Sequence, residues 1–191
     1  MRVVPILFNT DMVQAILDGR KTVTRRIVKQ SVWENFVCEG GNVVNWHNEE
    51  INTLEIPTYK VPYHLGNILY VRETWSEWTD GYVYRAWTLP FPQPGRYPDK
   101  MMKWRPSIHM PKDAARIWLK VTDVRVERLQ DISLEDCVRE GIEASRTGIF
   151  ARFSILWDST IKKQFIAKYG WDANPWVWVI EFERCDKPET R

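Results

Sequence analysis

The sequence predicts a small mixed α+β barrel of about five or six strands with flanking helices, formed by one domain over residues 1–191. Three observations lead there. Apolar runs of strand length recur at the start, middle and end of the chain, whereas only three stretches keep helical spacing. At 191 residues, with 44% hydrophobic and 27% charged residues, the chain can bury one core and has an ordinary globular mixture. Residues 31–66 and 88–113 have no sustained period and read as two insertions into that core.

The elements follow in order. Residues 3–8, VVPILF, suit a short strand, which Pro5 confines to an edge because it cannot donate to a ladder. A helix comes next, with Thr10 as N-cap, Asp11 in the first turn, a buried stripe of Met12, Val13, Ala15, Ile16 and Leu17, and Gly19 as its stop. Thr22, Val23 and Thr24 favour a strand. The first insertion, with Gly40, Gly41 and several Asn, reads as a hairpin or loop. Residues 68–75 alternate, with Leu69, Val71 and Glu73 on one face and Tyr70, Arg72 and Thr74 on the other, and residues 81–87 are expected to pair with them. Six prolines between 88 and 112 exclude a central strand there and suggest an ordered loop. Ile117, Leu119, Val121, Val124 and Val126 form the longest alternating pattern, read as one central strand or two separated by a bulge at Thr122 and Asp123. Ser133 starts a second helix, buries Leu134, Cys137 and Val138, and ends at Glu140 against Gly141. Phe150, Phe153, Leu156, Trp157 and Ile161 mark a third helix, and after a turn at residues 172–175 the run 176–183 closes the sheet as a strand covered on both faces.

Composition limits the function classes. No run of about 18 apolar residues occurs, and the N-terminus does not read as a signal peptide, so a cytoplasmic protein without a membrane partner is expected. Cys38, Cys137 and Cys185 lie far apart with no CxxC, and His47, His64 and His109 lack ligand spacing, so neither a metal nor a disulfide framework is expected. A net charge of +2 is too small to mark the whole surface as a polyanion binder. Local clustering is another matter: Arg20, Lys21, Arg25, Arg26 and Lys29 lie between Gly19 and Gln30 with no acidic residue among them. The bland reading is a solvated basic turn, with Arg20 and Lys21 serving the helix dipole. The 11 Trp, 7 Tyr and 7 Phe belong mostly to the core, but Trp beside Arg is also the chemistry that stacks on exposed bases.

The strings ILDGRKTVTRR, GNILYVRETW, VRVERLQDISLEDCVREGI and NPWVWVIEF, spread over most of the chain, resemble the ASCH-domain family of the PUA-like barrel superfamily, in particular its larger phage and prophage members. Relatives in that family include compact amidohydrolases that deacetylate acetylcytidine and members that cleave or bind RNA. The resemblance implies Lys21 as proton acceptor and Thr24 as nucleophile, both inside the matching GRKTxT string. Glu140 corresponds to the proton donor by its place at a helix end. The chemistry is self-consistent, since a hydroxyl attacks an amide carbonyl once a base takes its proton, and flanking arginines favour an uncharged Lys21. Glu140, held neutral by an apolar wall, would protonate the leaving amine, and Arg26 or a backbone amide would meet the oxyanion. No cofactor is implied.

Two classes of function remain open at this stage. One is a hydrolase of an acylated pyrimidine nucleoside, or of RNA, using Lys21, Thr24 and Glu140. The other is a non-catalytic reader of RNA or modified DNA in the same basic pocket. Candidate ligand-binding residues are Arg20, Arg25, Arg26, Arg72, Trp75, Trp104 and Arg105, with the arginines on phosphates and the indoles on bases. The expected partner is a nucleoside or a single-stranded nucleic acid, RNA rather than DNA. Ser107 and His109 lack a third orienting residue, and a loop hydrogen bond explains them. GRKT lacks the upstream glycine of a phosphate-binding P-loop, which excludes an NTPase on that motif.

Overall fold

The computed structural model describes residues 2–28, 36–39, 42–45, 62–79, 81–87, 102–143 and 148–189. Strands β1 (Val3–Leu7) and β2 (Val23–Ile27) flank helix α1 (Thr10–Leu17). Then come β3 (Phe36–Glu39), β4 (Asn42–Asn45), β5 (Ile68–Arg72), β6 (Trp75–Trp78), β7 (Gly81–Tyr84) and β8 (Trp118–Arg128). Helices α2 (Leu134–Arg139), α3 (Ile149–Thr160) and α4 (Ile166–Tyr169) precede β9 (Trp176–Cys185). The fold is mixed α+β, with a five-stranded sheet in the order β1-β5-β8-β9-β2 and two hairpins, β3-β4 and β6-β7. Among the described residues the order is open, so the expected barrel does not close. β8 is one unbroken 11-residue strand at the centre of that order, without the alternative bulge. The chain forms two compact units: residues 1–21, 66–120 and 183–191, and residues 22–65 and 121–182.

In the first unit β1 pairs in parallel with β5, from Val3↔Ile68 to Leu7↔Arg72, and the start of β8 pairs antiparallel with β5. Pro5 lies on this edge strand, where its missing donor costs nothing. The N-cap of α1 is Asn9, not the expected Thr10: its side-chain oxygen accepts from the Met12 amide at 2.9 Å. Gly19 has φ 75, a left-handed conformation that glycine adopts without a Cβ penalty, and the helix has already ended there. The predicted strand over 68–75 is two strands. β5 stops at Arg72, whose carbonyl accepts from Phe8, and β6 starts at Trp75 and pairs with β7 rather than β5, from Trp75↔Tyr84 to Trp78↔Gly81. Ile68, Trp75, Tyr84, Met110 and Trp118 pack into this unit's core.

The second unit is built on β2 and β9, antiparallel from Val23↔Glu181 to Ile27↔Val177. Val177, Trp178, Val179 and Ile180 are all buried, as expected for a strand covered on both faces. Ser133 caps α2, accepting from the Asp136 amide at 3.0 Å. Phe153 and Trp157, four apart on α3, bury one helix stripe against Val23, Leu129, Cys137 and Val179, contributing about 2 kcal/mol each. Two expected core residues are out in solvent, Leu134 at 58% and Phe150 at 41% exposure, because each lies off the stripe its helix buries. The first insertion contains the β3-β4 hairpin, and the rest of it up to residue 61 lies outside the described residues, as do residues 88–101 of the second and Lys29 of the basic cluster.

Candidate functional site

Alternation along β2 decides which of its polar side chains meet. Val23 and Ile27 pack on the hydrophobic cluster of the second unit, so Arg25 between them faces the same side. Thr24 and Arg26 face the other side, opposite Ile180 and Trp178 of β9. Thr24 is buried at 3% exposure and Arg26 is partly buried.

Arg25 is the hub of an ion-pair network. Its Nε and Nη2 donate to Glu127 at 2.9 and 2.5 Å, Nη2 also donates to Asp136 at 2.7 Å, and Nη1 donates to Glu140 at 3.2 Å. Burial opposes its charge, but Glu140 and Glu127, with hydrogen bonds to Asp136 and Glu127, outweigh that and hold the guanidinium above its ordinary pKa. Arg125 and Arg139 join through Asp136 and Glu181, and Arg139 also donates to the Thr22 hydroxyl at 3.3 Å. Among the described residues, Arg25, Arg125 and Arg139 meet Asp123, Glu127, Asp136, Glu140 and Glu181. A basic pocket is therefore the wrong description of this part of the second unit. Of the cluster that is cationic in sequence, Arg25 is met by Glu127 of β8, Asp136 of α2 and Glu140 just after α2, and it binds its own chain rather than presenting charge to a ligand.

Arg26 has a different setting. Burial pulls its pKa below the ordinary arginine value, and the hydrogen-bonded Tyr63 together with Glu140 offsets this only in part. Burial correspondingly pushes the Tyr63 phenol up, against the nearby Arg26 charge. Tyr63 was not foreseen: it lies at the end of an insertion that carries no periodic signal. Lys21, the last residue of the first unit's N-terminal segment, is buried at 3% exposure with its Nζ 5.6 Å from the Phe8 ring centroid, a cation–π contact. Arg20 is exposed and pairs with Asp18 at 3.0 Å, the outcome of the solvated-turn reading. Glu140 is buried at the end of α2 and sits in the Arg25 ion pair, not behind an apolar wall.

The remaining candidates lie in the first unit. Arg72 is not presented to phosphates: its Nε donates to the Met110 carbonyl at 2.8 Å and its Nη2 to the Ile108 carbonyl, tying the 106–111 turn to β5. Trp75 is 2% exposed and therefore cannot itself receive a base; it supports the Arg105 guanidinium, 5.0 Å above its ring. Trp104 is half-buried with Arg85 5.9 Å from its ring. Ser107 and His109 form a single 3-10 turn closed by backbone bonds from His109 to Pro106 and from Met110 to Ser107. Glu73 is bound at both oxygens by Arg116 at 2.9 and 3.0 Å, and burial raises its pKa against that pairing.

No known family model matches this sequence, and no curated protein matches it. A solved ASCH domain from Lactobacillus crispatus JV V101 is similar to 96% of this chain and 79% of its own, with 12% identity and a TM-score of 0.40. That structure is of the family the sequence strings resemble. At this identity and score, the role of each residue rests on this chain's own geometry.

Proposed function

We propose that this chain binds a nucleoside or a single-stranded nucleic acid, RNA in preference to DNA, on the β2 face that carries Thr24 and Arg26. The supporting observation is the partly buried Arg26 guanidinium on the strand face opposite the Arg25 network, with the Thr24 hydroxyl buried beside it. A guanidinium offers a planar fork to phosphate oxygens or base edges, and a hydroxyl both donates and accepts. Arg26 shares its surroundings with a phenol, Tyr63, and feels the Glu140 charge, whereas Arg25 on the opposite face is ion-paired with three carboxylates. The test is anisotropy titration of the full chain with short labelled RNA and DNA strands at two salt concentrations. Arg26→Ala is expected to weaken RNA binding and lower the salt slope by about one. Equal affinity and slope in the variant and the wild type contradict the reading.

A second reading, hydrolysis of an acylated pyrimidine nucleoside by Lys21, Thr24 and Glu140, is supported by the GRKTxT string that carries an amine and a hydroxyl three residues apart. Against it, Glu140 would have to give up its Arg25 pairing to serve as the acid. Incubation with acetylcytidine and product analysis separates the two. Turnover that Thr24→Ala abolishes with affinity retained establishes catalysis, and a wild-type protein that binds without turnover leaves binding alone.

A further inference from the structure

Binding a single strand calls for something that meets the faces of its bases, and the β6-β7 hairpin of the first unit holds such a surface. Trp75 and Arg105 exchange backbone hydrogen bonds of 3.2 and 2.8 Å in an antiparallel bridge, which puts their side chains on one face. The Arg105 guanidinium lies over the Trp75 ring at 5.0 Å and donates through both terminal nitrogens to Glu77 at 3.1 and 3.0 Å. The guanidinium thus sits over an indole, its donors are fixed by a carboxylate, and 43% of the side chain remains exposed. Tyr82, opposite Glu77 in the hairpin register, meets Trp75 edge-on at 5.5 Å and is 38% exposed.

A surface arginine ordinarily has to be ordered before it can stack, and here its neighbours have already ordered it. Guanidinium planes and tyrosine rings are both partners for unstacked bases. Among the described residues, two cations are exposed beside β6, Lys103 and Arg85, their backbones bonded to Ser76 and Thr74, while Glu77 is already matched by Arg105. We infer that Arg105 and Tyr82 form a stacking platform for an unpaired base of a single-stranded nucleic acid, with Trp75 as the buried support and Lys103 and Arg85 placed for its phosphates. The inference rests on the nucleic-acid reading and assigns base contact to residues outside the β2 face. Arg105 changes role, from phosphate contact to stacking plane, and Trp75 changes from base partner to support.

The test uses the full chain and a short RNA carrying one 2-aminopurine, whose fluorescence is quenched when its ring stacks. Wild type is expected to quench on binding. Arg105→Lys, which keeps the charge and loses the plane, and Tyr82→Ala are each expected to lose most of the quench and to bind about ten-fold more weakly. The salt slope of Arg105→Lys stays at the wild-type value. The Arg105 side chain and Tyr82 are both more than a third exposed, so both variants are expected to keep the wild-type circular dichroism spectrum. Wild-type quench and affinity in both variants overturn the platform while leaving the nucleic-acid reading in place. Conversely, loss of quench in these variants with wild-type affinity in Arg26→Ala upholds the platform and overturns the β2 site.

Discussion

Arg25 and Arg26 are adjacent in sequence and opposite in circumstance, because a strand sends successive side chains to opposite faces. Arg25 answers three carboxylates within 3.2 Å, so removing it leaves those carboxylates without their shared cation. Arg25→Met is therefore expected to destabilise the protein by about 3–5 kcal/mol, measured by urea denaturation, the loss typical when one partner of a buried pair is removed. Glu181 allows a test by pH. The hydrogen bond from Arg139 holds its carboxyl below the usual value, burial opposes this, and Arg125 adds to the lowering. Its stabilising contribution is then complete above the unfolded-state pKa of about 4.3 and is lost as pH falls through the folded value. Glu181→Gln should be less stable than wild type at pH 7, and the gap should narrow steadily below about pH 4.

At the scale of elements, the parts that periodicity controls were legible. α1, the central β8, the β9 strand buried on both faces and the Phe153/Trp157 stripe of α3 all follow from spacing and cap chemistry. What was illegible is what tertiary partners decide. Alternation runs unbroken through residues 68–75, and nothing in it marks the break at Glu73, whose carboxylate is fixed by Arg116 more than 40 residues on. The N-cap slipped by one residue because Asn9 and Thr10 are both good caps, and only the backbone settles which side chain reaches the Met12 amide. Phe153→Ala should cost about 3–5 kcal/mol in a urea melt and Phe150→Ala well under 1, although sequence spacing alone assigns both to the buried face.

Across the molecule, five paired strands and two hairpins agree with the mixed α+β expectation, and the ring closure a barrel requires is missing among the described residues. The candidate site was legible in part. A strand through Val23 and Thr24 could be read from the sequence, but its continuation through Arg26 and its charge balance could not. The acids that neutralise Arg25 come from positions 127, 136 and 140, more than 100 residues away in sequence. The stacked Arg105 was legible as an arginine near tryptophans, yet only the bridge to Trp75 shows which one lies beneath it. The central claim, that the Thr24/Arg26 face meets nucleic acid while the Arg25 face holds the protein together, is tested most directly by NMR of the two arginine Nε–Hε resonances. On titration with a short single-stranded RNA the Arg26 resonance should move in a saturable way and that of Arg25 should stay in place. A stationary Arg26 resonance under saturating RNA contradicts the account.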